Sequence, residues 1–322
     1  MLRVTEPEVR RLLPFSKAVQ LVHEAYTRLA RGEATNPPRV WLSVPGGASM
    51  FFMPGHVYGQ RTVSIKVARV NSTNPSLSLP TVMLTVYVYD ATSGVQLAEV
   101  DGEWLTAVRT AASTAVATDI LAKETVRTLG IFGSGMQAKA HVPALMSIRS
   151  FQKVLVYSRD KGRRESFARS ISHDYGIKTE ATDSPHPVAN EADVIVTATT
   201  SNTPVLDGGL VRTGALVNAI GSADAGAREV DTALVKRSRV VVDSRAQALA
   251  TYGDVVIPIR EGEISDSEII ELGDLLVRKT TMGPSDVTLF KAGGLAVLDA
   301  MVTDYIIDCL SRQSDSIGGD RR

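Results

Sequence analysis

The chain has 322 residues with 35 basic and 35 acidic side chains, so its formal charge is zero. That length suffices for two domains with cores of their own, or for one domain inserted in another, and the charge balance argues against nucleic acid as a main partner. The first residues, Met1 to Pro7, hold no apolar signal core and no apolar run is long enough to span a bilayer, so a soluble, cytoplasmic protein without a membrane partner is expected.

Val19, Val22, Ala25, Tyr26 and Leu29 recur at helical spacing after Ser16, which reads as an N-cap, and Gly32 follows the last of them. Asn36-Pro37-Pro38 ends that helix. A meander of strands is expected next, over 40–44, 50–53, 62–70, 81–89 and 95–100, with turns at Pro45-Gly46-Gly47 and from Asp90 to Gly94. The first hundred residues thus read as an α+β unit with an antiparallel or mixed sheet. Three cations stand where solvent-facing charge is not expected: Arg39 between Pro38 and a strand start, Lys66 between Ile65 and Val67, and Arg109 inside the alanine-rich helical run 105–112. Either they are solvated or internally paired, or they are aimed into a pocket that holds an anion, because a buried unpaired cation is too costly.

From about residue 128 strands and helices alternate, with near-continuous apolar runs over 128–132, 153–157, 193–197, 215–220 and 239–242, as in a parallel sheet covered on both faces. The first run leads into Gly133-Ser134-Gly135-Met136-Gln137-Ala138, a G-x-G-x-x-A turn before a helix. There Gly133 permits the tight turn, Gly135 lets backbone approach a pyrophosphate, Ala138 lets helix pack on strand, and the helix N-terminus faces the phosphates. Ligands of such sheets lie outside the carboxyl ends of the strands, which picks out 133–137, Ser158-Arg159, Thr197-Ala198-Thr199 and Gly221-Ser222-Ala223 as one crevice. A hydroxyl and a guanidinium after the second strand suit a 2′-phosphate, so NADP(H) is favoured; NAD(H) stays open because Asp160 comes next.

After Asp243-Ser244-Arg245 an alanine-rich helix runs to Tyr252, followed by a loop from Gly253, a helix over 267–276, and a segment, 288–294, leading into a long amphipathic helix with Leu295, Leu298, Val302, Tyr305, Ile306 and Cys309 on related faces. The tail 314–322 reads as disordered. Cys309, the single cysteine, excludes a disulfide framework and reads as a buried structural thiol. The five histidines, His23, His56, His141, His173 and His186, lack metal-ligand spacing, so no metal is expected, and no G-x-S-x-G elbow marks a serine hydrolase.

Together these pieces resemble the ornithine cyclodeaminase/mu-crystallin family over nearly the whole chain. The likeness rests on Lys66 with Asn71 and Leu79-Pro80-Thr81-Val82, on the 105–112 helix with Arg109, and on Gly133 to Ala138. It continues through Asn218-Ala219-Ile220-Gly221-Ser222 with Arg228-Glu229, Val242-Asp243-Ser244, and Phe290-Lys291-Ala292-Gly293-Gly294. The resemblance implies a Rossmann dinucleotide-binding domain, 121–292, inserted in a discontinuous α+β substrate-binding domain, 1–120 plus 293–322, that forms a homodimer. It implies that Arg39, Lys66 and Arg109 surround the carboxylate of a small 2-imino or 2-amino acid beneath the nicotinamide, with Phe51, Ala223 and Gly294 also at the substrate. Arginine forks suit a planar carboxylate, and Lys66 can polarise or protonate the reacting centre. Cofactor contacts are implied for Thr81, Thr110, Gly133, Ser134, Gly135, Met136, Gln137, Ser158, Arg159, Thr197, Ala198, Thr199, Ile220, Gly221 and Lys291.

The chain departs from the cyclodeaminase branch at two positions, where Ala223 and Phe51 stand in place of carboxylates; Asp224 could replace the first only if its loop shifts. Ser158-Arg159 and the stretch from Ser244 to Asp254 look more like the mu-crystallin and ketimine reductase branch. The expected activity is therefore reduction by NAD(P)H of a cyclic ketimine carboxylate, Δ1-pyrroline-2-carboxylate or Δ1-piperideine-2-carboxylate, to L-proline or L-pipecolate. The alternatives are an alanine-type dehydrogenase, an ornithine cyclodeaminase, or a mu-crystallin-like ligand-binding protein without catalysis.

Overall fold

The computed structural model describes residues 1–71, 73–278 and 286–318, and the chain divides into two units, Met1–Arg109 with Leu295–Arg322, and Thr110–Gly294. The first unit contains β1 (Leu2–Val4), α1 (Glu6–Leu12), α2 (Phe15–Ala30), β2 (Ala34–Thr35), β3 (Val40–Ser43), β4 (Ser49–Val57), β5 (Thr62–Val70), β6 (Val82–Asp90) and β7 (Gln96–Asp101). Its sheet runs β1-β7-β6-β5-β4-β2, with β3 paired to β4. It is mixed: β1 lies parallel to β7 and the other pairs are antiparallel.

Period-two alternation in β5 gives this sheet two different faces. Thr62, Ser64, Lys66 and Ala68 point to the buried side, where the C-terminal helix, Ala296–Gly318, packs on β4 and β5. That approach depends on Gly55, whose Cβ, if present, would stand 2.7 Å from the backbone carbonyl of Ala296. The other face carries Val63, Ile65 and Val67 with cross-strand neighbours Phe52, Pro54 and Tyr87, all half-buried.

Helix α3 (Gly102–Leu121) leads into the second unit, which holds β8 (Thr128–Phe132), α4 (Met136–Met146), β9 (Lys153–Tyr157), α5 (Lys161–Tyr175), β10 (Lys178–Ala181), α6 (His186–Glu191), β11 (Val194–Thr197) and β12 (Leu216–Ala219). It continues with α7 (Thr232–Lys236), β13 (Ser238–Val242), α8 (Arg245–Thr251), α9 (Gly253–Arg260), β14 (Ile270–Glu271), α10 (Leu272–Arg278) and β15 (Val287–Lys291). All pairs in the order β10-β9-β8-β11-β12-β15-β13-β14 are parallel. Strand order reverses between β8 and β11, the switch point at which a doubly wound sheet opens its ligand crevice.

Several local expectations need correction. The segment 288–294 is mostly β15, a central strand between β12 and β13, because its apolar residues find parallel partners far away in the chain. The polar strand β10 and the two-residue β14 lie at the sheet edges, where no apolar face announces a strand. The expected loop after Tyr252 is α9, which accommodates Pro258. Helix α2 starts at Phe15 with Pro14 at its cap, so Ser16 sits in the first turn and caps nothing. Cys309 is half-buried rather than buried. The helix expected to end before the tail runs on to Gly318, and 319–322 lie outside the described residues. Among the described residues no helix is long and apolar enough to cross a membrane.

Candidate functional site

Two of the odd cations of the first unit meet one carboxylate. Lys66 is 2% exposed, Arg109 is 4% exposed, and both meet Asp299, which is fully buried on the C-terminal helix. Lys66 Nζ lies 2.8 Å from Asp299 Oδ2, and Arg109 Nε donates to Oδ1 at 2.9 Å. Burial and the neighbouring Arg109 guanidinium push the Lys66 ammonium down to about 7; Asp299 opposes them, and Arg39 adds to the fall. Burial alone would raise the Asp299 carboxyl, but Arg109 and Lys66 outweigh it and hold the group below its usual range. Arg39 stands 5.9 Å above the ring of Phe51, which in turn packs on Trp41 with centroids 4.8 Å apart. Lys66 and Arg109 thus share one buried carboxylate, with the Arg39 charge acting on Lys66 from nearby, a grouping of cations whose chemical complement is a small organic anion.

Asp299 escaped the sequence reading. Its signal was available, since an acid within the apolar run Leu295-Ala296-Val297-Leu298-Asp299-Ala300-Met301-Val302 must be paired if the helix is buried.

In the second unit the turn after β8 has the form the glycine pattern requires. Gly133 has φ +110°, and a Cβ there would fall on the carbonyl of Ala198. Gly135 is the N-cap of α4, and no atom stands within 4 Å of where its Cβ would be, so an anionic group can reach the helix N-terminus. A cavity of ≈ 490 Å³ opens in front, lined among others by Ser134, Gly135, Ser158, Arg159, Ala198 and Thr199. Ser158 and Arg159 follow directly on β9, and Ser134 donates to the Ser158 hydroxyl at 3.2 Å. Asp160 is occupied as the N-cap of α5, where Oδ1 accepts from Arg163 N at 2.9 Å. Open glycine backbone, a helix N-terminus and a cavity lined by both polar and apolar side chains fit a nicotinamide dinucleotide.

The ornithine cyclodeaminase/mu-crystallin family model matches residues 2–314. The chain belongs to that family. It is 31% identical over 313 residues to the Delta(1)-pyrroline-2-carboxylate reductase of Bacillus cereus, covering 96% of either chain. The structure of Thermococcus litoralis Delta(1)-pyrroline-2-carboxylate reductase in complex with NADH and L-proline superposes with a TM-score of 0.93 at 30% identity and 98% coverage of both chains. An archaeal alanine dehydrogenase dimer with bound NAD gives 0.90 at 28% identity and 97% coverage of both. This member of the family is an NAD(P)-dependent oxidoreductase.

The remaining positions that the family likeness singles out fall as follows. Thr81 is exposed just before β6, and Thr110 is half-buried in α3. Met136 is exposed in the first turn of α4, and the carbonyl of half-buried Gln137 hydrogen-bonds His141 Nδ1 at 2.7 Å. Ile220 continues the β12 ladder through its amide to Thr197 O at 3.1 Å. Thr197 is buried and donates its hydroxyl to Glu229. Ala223 packs on the core of its unit. The amide of Gly294 donates to Asp243 Oδ2 at 2.8 Å. Lys291 is fully buried, with its ammonium on Asp254 at 2.8 Å and on the Ser222 carbonyl. Asp224 is turned into its own loop, with Oδ1 accepting from Gly226 N at 2.7 Å. Among the described residues no cluster of three or more His, Cys, Asp or Glu could hold a metal ion.

Proposed function

We propose that the protein reduces a cyclic ketimine carboxylate, such as Δ1-pyrroline-2-carboxylate or Δ1-piperideine-2-carboxylate, to the cyclic L-amino acid. The observation that carries this reading is the buried Lys66–Asp299–Arg109 group with Arg39 beside it. Arg109 and Arg39 grip the carboxylate. Anchoring Arg109 through Nε sets the plane of its guanidinium fork, a shape that matches a planar carboxylate. The nicotinamide, when bound, supplies the hydride that adds to C2. Lys66 protonates or polarises the ring nitrogen, for which an ammonium that titrates near neutrality is suited. Ala223 and Phe51 leave no carboxylate to hold a second ammonium, and the Asp224 side chain is engaged in its turn, so ring closure of a diamino acid with loss of ammonia is not the reaction. Turnover of both ketimines with NADH and NADPH tests the reading; no turnover with any pair discards it. Reductive amination of a 2-oxo acid is the second reading, favoured by the likeness to the alanine dehydrogenase. Rates that require added ammonia would select it.

We assign the 2′-phosphate of NADPH to Ser158 and Arg159, because Asp160 is spent on capping α5. Arg159→Ala should weaken NADPH about ten-fold and NADH by less than about two-fold, as loss of one charge-assisted contact implies. An unchanged preference in fluorescence titrations would remove Arg159 from that role.

We further infer that two copies associate through the half-buried apolar face formed by Val63, Ile65, Val67 and their neighbours, because a contiguous apolar face on the side of the sheet away from the C-terminal helix is the kind of surface a second layer covers. Ile65→Glu should convert a dimer to monomer in sedimentation velocity. A dimer that survives it places the interface elsewhere.

A further inference from the structure

A second buried charged network underlies the carboxyl ends of β11, β12 and β15. Glu229, fully buried between β12 and α7, accepts four hydrogen bonds of 2.7 Å. Oε2 receives the Thr197 hydroxyl and the Gly221 amide; Oε1 receives the amide and hydroxyl of Thr199. Asp254, equally buried at the start of α9, takes the amides of Glu229 at 2.7 Å and Val230 at 3.0 Å on Oδ1, and Lys291 at the end of β15 pairs with its Oδ2. The same lysine holds the carbonyl of Ser222. Glu229, Asp254 and Lys291 are thus buried together to fix the turns that follow β11 and β12, where apolar filling would be the cheaper way to stabilise a core.

We propose that Glu229 is a positioning residue for the nicotinamide half of the dinucleotide site, buttressed by the Asp254–Lys291 pair. The proposal rests on the dinucleotide reading of the crevice. Thr199 lines the cavity in front of Gly133 and Gly135. In a doubly wound sheet the two halves of a dinucleotide lie on opposite sides of the switch point. Ser158 and Arg159, after β9, belong to the adenosine side; the turns after β11 and β12, which Glu229 ties together, belong to the other. A shift of those two turns therefore moves the floor under the nicotinamide riboside and leaves the adenosine contacts in place. Lys291 acts through Asp254 and not by touching the ligand.

Glu229→Gln tests this with nearly equal side-chain volume. An amide nitrogen cannot accept from a backbone N–H, so either Thr199 or Gly221 loses its acceptor. Calorimetric titration of the full-length variant should show NADH and NADPH weakened about ten-fold, while ADP-ribose and 2′-phospho-ADP-ribose, which lack the nicotinamide, bind within about two-fold of wild type. Equal losses on both ligand types, or no loss on either, would overturn the proposal and leave Glu229 a stability element only. Failure of the wild type to bind any dinucleotide would instead remove the reading beneath it. Where circular dichroism shows that Glu229→Gln does not fold, Thr197→Val decides. It deletes a single donor, and the same split between ligands at about three-fold supports the role while its absence overturns it.

Discussion

Arg109→Ala should lower kcat/KM for the ring imino acid about a thousand-fold and change dinucleotide affinity by less than about two-fold, the rate loss corresponding to about 4 kcal/mol of transition-state stabilisation. The guanidinium is almost entirely buried and held through Nε by Asp299; on the proposed reading it also grips the substrate carboxylate, so truncation leaves that anion without its clamp. The dinucleotide crevice is built from other residues, those around Gly133, Ser158 and Thr199. Arg109→Lys should recover little, because an ammonium cannot reproduce a planar fork held at one edge by a carboxylate. Stopped-flow reduction rates combined with NADH fluorescence titration separate the two quantities. Equal loss of both would show that Arg109 maintains the protein rather than the substrate.

The pH profile of reduction should carry a limb near neutrality that belongs to Lys66, whose ammonium is pushed down to about 7 by burial and by Arg109, against the pull of Asp299. The protonated form is the donor, so reduction falls as pH rises through that value, and oxidation of the cyclic amino acid rises over the same interval. Asp299→Asn removes the carboxylate that favours the ammonium and should move the limb toward acid by about one unit or more. Arg109→Ala removes a repelling charge and should move it the other way. A bound substrate carboxylate also favours the ammonium, so the limb in kcat, which reports the complex, lies above the limb in kcat/KM, which reports the free enzyme. Asp299→Asn also breaks the buried ion pairs with Lys66 and Arg109, costing about 3 to 5 kcal/mol of stability, so thermal melts must accompany the kinetics. Superimposable profiles in wild type and both variants would dismiss Lys66 as the titrating group.

Much of this was written locally. Helical spacing from Val19 to Leu29, strand alternation around Lys66, the turn at Gly133 to Ala138 and the pair that follows β9 are properties of a few neighbouring residues, and neighbouring residues are what periodicity and turn chemistry report. The same pattern marked Arg39, Lys66 and Arg109 as misplaced charges. It could not say what answers them. Asp299 reaches Lys66 and Arg109 only because Gly55 lets the C-terminal helix lie close on β4, and Lys291, which motif likeness placed at the cofactor, turns inward because Asp254 waits beneath it. Segment 287–291 became a central strand only by insertion between β12 and β13. Local sequence determined which elements form and which residues carry charge at odd positions. The tertiary structure alone decided which partners those charges meet, because the energy of a buried ion depends on groups brought near through space, and spacing along the chain does not record them.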